Sequence, residues 1–412
     1  MGEHQHHTQR LPILSCQERS NRQQETGSRV QAGLSDYRQS TNLFGQTGYF
    51  DSQRVLVTEV EVMGRAKRFV LEPDREAGTE ALATFRAGQY ISVFLNVAGC
   101  TLTRAYSLSS TPRQAVENRY AITVERNEKG FASDHILDTW QVGTRVEISM
   151  PLGEFCHEPS RDAAHVVAIA GGSGITPFLS MAGAIADGTE DFRLTILYGN
   201  RTADEILYRD TLGTLADQCH KLRVVHVLSD EVCHWAEHGV VTAELVRKYA
   251  PEGEWSVFVC GSPAMYAFLR EDLKKLELPR RRLRFEMPGE IRNAESLAGF
   301  PAYAKGRTFR LIVERLDAKL EIPAKSGESI LAALERAGIR HPSRCRCGEC
   351  GFCRSILVSG TYFIPRELEH RRAADIKNGY IHPCCTYPTG DCHIRLPVDI
   401  GSKTAEDGVH GA

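Results

Sequence analysis

The sequence predicts a multidomain chain: an antiparallel β-barrel, then an α/β unit built on a doubly wound parallel sheet, then a small α+β unit. Three observations predict it. Short alternating apolar runs, punctuated by Gly, Pro and Asn, fill residues 54–155, and regularly spaced short strands of that kind form barrels or sandwiches. From residue 165 apolar strands alternate with helical segments, the pattern of a parallel sheet. From residue 307 a hairpin pattern runs through one helix into a loop with four cysteines in nine residues, CRCGECGFC at 345–353.

The elements follow in order. Residues 1–53 are rich in Gln, Arg, Ser and His and read as a partly disordered arm. Residues 54–158 carry the strand runs RVLVTEVEV, KRFVLEP, QYISVFLNV, AYSLSS, RYAITVERN and TRVEISM, with SDHILDTW (133–140) as the one convincing helix and closure near PLGEF (151–155). Residues 163–290 hold the strands HVVAIAGG, LTILYGNR, RVVHVLS and SVFVCGS, with ITPFLSMAGAIAD helical between the first two. Residues 291–306 read as a linker and 399–412 as a disordered tail. In 307–398, FRLIVERLDAKLEIPAK reads as a hairpin, and ESILAALERAG as a helix with a start signal at Ser326 and Ser329 and a stop at Gly338.

Bulk properties exclude several classes. The 412 residues allow two to four domains, each with its own core. A formal net charge of −2 gives no case for nucleic acid or a membrane surface. No apolar run approaches the roughly 18 residues of a membrane span, and MGEHQHHTQR lacks a signal-peptide pattern. Thirteen cysteines, seven of them within 345–392, indicate a reducing, cytoplasmic setting and a local metal site.

The spacing Cys345-x4-Cys350-x2-Cys353 with a distant fourth cysteine is that of a plant-type 2Fe–2S loop. One loop wraps the cluster, and Gly348 and Gly351 let backbone N–H groups approach the sulfurs. Zinc is the competing reading, but zinc ribbons pair CxxC with CxxC, and here the CxxC units overlap. Residues 308–398 resemble plant-type ferredoxin domains, whose loop C-R-x-G-x-C-x-x-C matches CRCGECGFC at every fixed place. The resemblance implies a β-grasp fold, ligands Cys345, Cys350 and Cys353, and Cys347 where the family has a small residue. GYIHPCCTYP aligns Cys384 with the fourth ligand, and Cys385 is the alternative. Cys392 falls in a final strand as a structural residue.

RAYSLSS (104–110) resembles the R-x-Y-S-x-x-S signature of the ferredoxin–NADP reductase superfamily. It implies a flavin beside Arg104, Tyr106 and Ser107: the arginine fork suits a pyrophosphate, and the Ser hydroxyl suits the edge of the flavin ring. KGFASDHI (129–136) matches the family's Gly-x-x-Ser, placing Gly130 and Ser133 at a helix end that receives the pyrophosphate. Ser133 can also cap that helix itself. Domain order is that of the phthalate dioxygenase reductase type, which uses FMN, whereas GFAS and PLGEF favour FAD.

IAGGSGITPFLSM (169–181) matches the superfamily's G-G-x-G-I-T-P, and VFVCGSPAMY (257–266) its C-G-x-P-x-M. The resemblance implies a pyrophosphate at Gly171, Gly172 and Gly174, Thr176 at the flavin–nicotinamide junction, and Cys260 and Gly261 facing the nicotinamide. Asp230 and Glu231 follow the third strand where a 2′-phosphate would want cations, which favours NADH over NADPH, although Arg201 is a candidate cation.

The resemblance covers about 54–398 and implies an NAD(P)H-dependent reductase. NAD(P)H delivers a hydride to the flavin, with Ser107, Thr176 and Cys260 at the reacting rings, and the flavin releases single electrons to the 2Fe–2S cluster. The acceptor beyond is the partner protein of a multicomponent enzyme or, alternatively, a quinone, ferric ion, corrinoid or free flavin served by a stand-alone diaphorase. Residues 307–398 carry three Lys and twelve Arg against three Asp and seven Glu, a formal +5. A basic ferredoxin unit either docks on its own reductase domains or meets an acidic partner.

Overall fold

The computed structural model describes residues 52–397, apart from 98–99, 127–129, 287–288, 292 and 317. Nearly all of the expected arm, the expected tail and Lys129 lie outside the described residues. Six strands form the first sheet: β1 (Ser52–Met63), β2 (Ala66–Pro73), β3 (Tyr90–Val97), β4 (Cys100–Ser107), β5 (Tyr120–Glu125) and β6 (Arg145–Ser149). They pair antiparallel in the order β4-β3-β6-β1-β2-β5. A single bridge between Leu108 and Ile122 brings the end of β4 to β5, so the sheet curls into a barrel joined at that one point. Alternation does the work in β1: Gln53, Val55 and Val57 are buried, and Arg54 and Glu59 are exposed.

Two helices accompany the barrel. The short α1 (Pro112–Val116) was not foreseen, although its signal is local: Thr111 and Gln114 form a reciprocal capping box and Pro112 occupies the first helical position. The second, α2 (Phe131–Thr139), is the expected one, starting two residues earlier.

The second sheet is parallel throughout, in the order β10-β9-β8-β7-β11-β12. Its strands are β7 (His165–Gly171), β8 (Arg193–Asn200), β9 (Leu222–Leu228), β10 (Glu237–His238), β11 (Ser256–Cys260) and β12 (Leu283–Phe285). Helices α3 (Thr176–Ala186), α4 (Arg209–Gln218), α5 (Ala243–Tyr249) and α6 (Pro263–Asp272) cover it. Strand order reverses between β7 and β11, so the ends at Gly171 and Cys260 flank the switch point where such sheets bind ligands. Ten of eleven residues of α3 are buried, because it is wedged between sheet and barrel: Ser180 Oγ donates to Ser110 O at 2.6 Å.

The third sheet is mixed, in the order β14-β13-β17-β15-β16: β13 (Thr308–Arg315), β14 (Ala318–Lys325), β15 (Ser355–Phe363), β16 (Tyr380–Ile381) and β17 (Tyr387–Arg395). With α7 (Ile330–Arg336) packed on the hairpin and α8 (Ala373–Lys377) near β16, it has the β-grasp form. The cap of α7 is Ser329, whose hydroxyl accepts from Ala332 N–H, rather than Ser326. The stretch read as a linker is packed: Ala294, Phe300 and Ala304 are buried with Tyr387, whose hydroxyl donates to Ile291 O at 2.7 Å. Among the described residues no helix is long and apolar enough to cross a membrane.

Candidate functional site

A cavity of about 2200 Å3 runs where the three sheets meet. A pocket for a single small ligand measures roughly 300–1000 Å3, so this one has room for two cofactors in contact. Its walls include Arg104, Tyr106 and Ser107 on β4, Ser133 on α2, Gly171 at the end of β7 with Gly172, Gly174 and Thr176 beyond it, Cys260 at the end of β11 with Gly261 beyond it, and Cys345 of the cysteine loop. Almost every residue singled out in the sequence for flavin and nicotinamide thus faces one space. Gly130 lies behind the wall as the buried N-cap of α2.

The details differ from expectation at two places. Ser133 does not cap α2: it sits in the first turn, and its hydroxyl donates back to Gly130 O at 3.1 Å. Arg104 reaches the cavity, but its Nη1 donates to Thr103 O at 2.8 Å and lies 3.8 Å from Glu335 Oε2 on α7. Burial and the nearby Arg346 charge pull its pKa down, opposed by Glu335.

On the opposite wall, Gly172 has φ +53 and opens a tight turn to Ile175. Gly174 lies against the Cys260–Gly261 backbone; a Cβ there would stand 2.6 Å from the Cys260 carbonyl carbon, so only glycine permits this approach. Thr176 begins α3 and donates its hydroxyl to Ser173 O at 3.0 Å. Gly261 N–H donates to Tyr266 Oη at 3.2 Å.

The two walls are joined by a residue the sequence reading missed. Glu286 accepts from Ser107 Oγ at 2.7 Å and from Cys260 Sγ at 2.5 Å. The three-residue strand β12 pairs with β11 and delivers Glu286 beside Cys260, and Glu286 N–H donates to Val259 O at 2.8 Å. Burial pushes its carboxyl up, while the Cys260 and Ser107 donors pull it back. Burial, with Glu286 beside it, also pushes the Cys260 thiol well up. The signal was a carboxylate directly after the alternating Leu-Arg-Phe triplet at 283–285, which is weak because the strand is so short.

In the cysteine loop, Cys345, Cys347, Cys353, Cys384 and Cys385 are buried and Cys350 is half-buried. Cys353 Sγ lies 3.3 Å from Cys384 Sγ, and the N–H groups of Cys347 and Cys350 point at Cys345 Sγ at 3.5 and 3.4 Å. The Cys385 thiol donates to His382 O at 3.4 Å. Gly348, at φ +87, packs so tightly that a Cβ would stand 2.6 Å from Cys385 Sγ. The Cys347, Cys350 and Cys384 thiols hold Cys345 well below the usual value of 9 despite its burial. Those three partners are shifted up, chiefly by Cys345 itself. So many thiols in one small volume cannot all ionise without a cationic group among them. Among the described residues no group of three or more His, Cys, Asp or Glu is spaced for a single metal ion. A binuclear cluster spreads its four thiolates over two irons, and this donor set fits it.

Between thiols and flavin wall stand Tyr90, Glu349, Glu290 and Arg346, all cavity-lining. The Tyr90 hydroxyl is pushed up by burial and then by the Cys345 charge. Glu349 faces the open cavity yet is enclosed by protein; burial, then the Cys345, Glu154 and Glu286 charges, push it up to about 7.

Comparison with known proteins agrees with this geometry. Residues 55–157 match the family model of the oxidoreductase FAD-binding domain, 168–271 that of the oxidoreductase NAD-binding domain, and 314–389 that of the 2Fe-2S iron-sulfur cluster binding domain. The chain belongs to the ferredoxin–NADP reductase superfamily, in the group that ends in a 2Fe–2S domain. It is an NAD(P)H-dependent oxidoreductase with FAD-, NAD- and 2Fe–2S-binding domains. Among its relatives is the NADH oxidoreductase HCR of Escherichia coli, 28% identical over 309 residues, covering 74% of this chain and 88% of the relative. The glycine betaine monooxygenase reductase subunit of Pseudomonas aeruginosa is 27% identical over 327 residues, covering 75% and 87%. Among solved structures, phthalate dioxygenase reductase superposes with a TM-score of 0.58 at 25% identity, covering 84% of this chain and 98% of that one.

Proposed function

We propose that this chain is the reductase component of a multicomponent oxygenase, taking hydride from NADH and passing single electrons to a protein acceptor. The observation that carries this is the continuity of one cavity from Cys260 and Ser107 to Cys345. The flavin and the cluster together convert a two-electron donor into a one-electron donor, and the chain's residues set up that exchange. Thr176 and Cys260 bound the nicotinamide side, and Gly171, Gly172, Gly174 and Gly261 let backbone approach its phosphates. Ser107 and Tyr106 bound the flavin side, with Arg104 and the α2 terminus at Gly130 and Ser133 toward its phosphates. Glu286 holds the Ser107 hydroxyl and Cys260 thiol in register across the junction.

Cys345, Cys350, Cys353 and Cys384 are the cluster ligands in this reading; the Cys353–Cys384 contact favours Cys384 over Cys385. NADH is favoured because Arg201, the candidate 2′-phosphate cation, is held by Glu205 through its Nε at 3.0 Å and its Nη2. An oxygenase acceptor is favoured by the relatives that are reductases of glycine betaine monooxygenase and phthalate dioxygenase. No disulfide joins the described cysteines, which suits a cytoplasmic compartment. An anaerobic NADH titration tests the core of the proposal: flavin and iron–sulfur absorbance bleach together. A cluster that stays oxidised while the flavin bleaches overturns it.

A further inference from the structure

We propose that Arg346 is a positioning residue that fixes the thiol loop against the flavin wall and so sets flavin-to-cluster electron transfer. Arg346 follows Cys345 directly and is 2% exposed. Its backbone sits at φ +58, a left-handed conformation that a residue with a Cβ adopts only when its surroundings hold it there. That turn sends the side chain away from the thiols and between two carboxylates. Nη1 and Nη2 meet Glu335 at 2.5 and 3.0 Å. Nε meets Glu290 Oε2 at 3.1 Å, and Nη2 closes a second bond to the same oxygen.

The partners come from different parts of the chain. Glu335 lies on α7 of the third sheet's unit, and its Oε2, which accepts from Arg346 Nη2, also lies 3.8 Å from Arg104 Nη1 of β4. Glu290 lies in the connection after the second sheet, where the Ser329 hydroxyl at the start of α7 also donates to it. One guanidinium therefore ties together the cysteine loop, the α7 helix and the connecting segment, with the flavin-side arginine as fourth member. The two cations and two anions balance. Burial opposes the Arg346 charge, but Glu290 and Glu335 overcome it and raise its pKa. Burial likewise works against the Glu290 charge, and Arg346, Ser329 and Arg104 more than offset it. A charge-balanced cluster of this kind, hydrogen-bonded through Arg346, is costly to break at one member, which favours a single arrangement of the parts it joins. A pair that only braced the third unit would need Glu335 alone; Glu290 and Arg104 make the cluster span units.

The inference rests on reading Cys345, Cys350, Cys353 and Cys384 as cluster ligands. Glu290→Gln keeps the shape and leaves Arg346 its Glu335 partner; Glu335→Gln is the second variant. The measurements on full-length protein are iron content, flavin reduction by NADH and the subsequent cluster reduction in anaerobic stopped flow. Hydrogen exchange over β4 and α7 is the fourth. The expected result is unchanged iron, flavin reduction within about twofold, cluster reduction slowed about tenfold or more, and faster exchange in both elements. Cluster reduction at the wild-type rate in both variants overturns the inference, as does an equal slowing of flavin reduction. Exchange unchanged in both variants overturns it too, and this readout does not require a loaded cluster. If the wild-type protein itself shows no iron–sulfur absorbance, the ligand reading has failed, which is a separate outcome.

Discussion

Gly174→Ala should separate the two nucleotide loops. A Cβ at 174 would stand 2.6 Å from the Cys260 carbonyl carbon, 2.8 Å from Gly261 N, and closer still to the Cys260 carbonyl oxygen. Ordinary contact begins near 3.4 Å, so the loops must part by about 1 Å. The obstacle is backbone on a buried strand end, which cannot swing aside as a flexible side chain would. Overpacking of this kind costs about 1–3 kcal/mol of stability. The larger effect falls on geometry, because Thr176 is two residues from the insertion and Cys260 is the group pushed. A 1 Å misplacement of reacting partners costs on the order of 100-fold, so flavin reduction by NADH in anaerobic stopped flow should fall by about that factor. Gly213→Ala is the control: it lies within α4 with nothing within 4 Å of its added Cβ, and should be neutral or stabilise by up to about 1 kcal/mol. Flavin reduction within twofold of wild type in Gly174→Ala, at unchanged thermal stability, would refute the reasoning.

Cys350→Ala and Cys384→Ser should lose the iron–sulfur absorbance, whereas Cys347→Ala and Cys385→Ser should keep it with about two irons per chain by iron assay. Glu286→Gln can satisfy only one of the two donors that meet its carboxylate, so flavin reduction should slow by up to about tenfold, the worth of one net hydrogen bond. Its pH effect has a fixed sign. Glu286 is a carboxyl whose folded pKa is raised above the ordinary 4.5. The wild type therefore loses stability as pH rises from 4.5 through the folded value. The Gln variant lacks that loss, and denaturant unfolding across this window reads the difference.

What the sequence revealed followed periodicity and close motif spacing. The barrel strands alternate and the β7 and β11 runs are buried on both faces, so their identity was plain. The glycines read as phosphate contacts and the thiols read as cluster ligands sit in contiguous motifs, where local spacing carries the signal. Glu286 and Glu290 were not legible because what matters about them is long-range: one depends on the pairing of β12 with β11, the other on α7 and the cysteine loop arriving beside it. Arg104 shows the same limit, since its motif did not disclose Glu335 on a helix more than two hundred residues later. The segment 291–306 has linker composition, but its few apolar residues, such as Phe300, find the Tyr387 side of the third sheet and pack there. Ser326 and Ser329 offered two caps for α7, and the hydrogen bond to Ala332 N–H chose the second.

The basic character of residues 307–398 acquires two distinct uses in the structure. Arg346 is consumed internally, and Arg344 stacks its guanidinium 4.4 Å from the Phe94 ring of the barrel, so part of the excess charge docks the unit on its own reductase domains. Arg366, Arg372 and Lys377 are exposed around the α8 segment, and Arg354, next to Cys353, reaches the same segment through Asp375 at 3.2 Å. In the proposed reading that exposed charge is available to an acidic acceptor. Salt distinguishes the two uses. Buried pairs are screened little and exposed charges strongly, with a screening length of about 10 Å at 0.1 M ionic strength. Flavin-to-cluster transfer should therefore keep its rate between low and 0.5 M salt, while delivery to the protein acceptor should fall several-fold with its loss in the association step. Parallel stopped-flow and steady-state measurements check this. Acceptor turnover independent of salt would mean that the exposed cations take no part in docking, and internal transfer that slows with salt would mean that the buried arginines do not hold the units together.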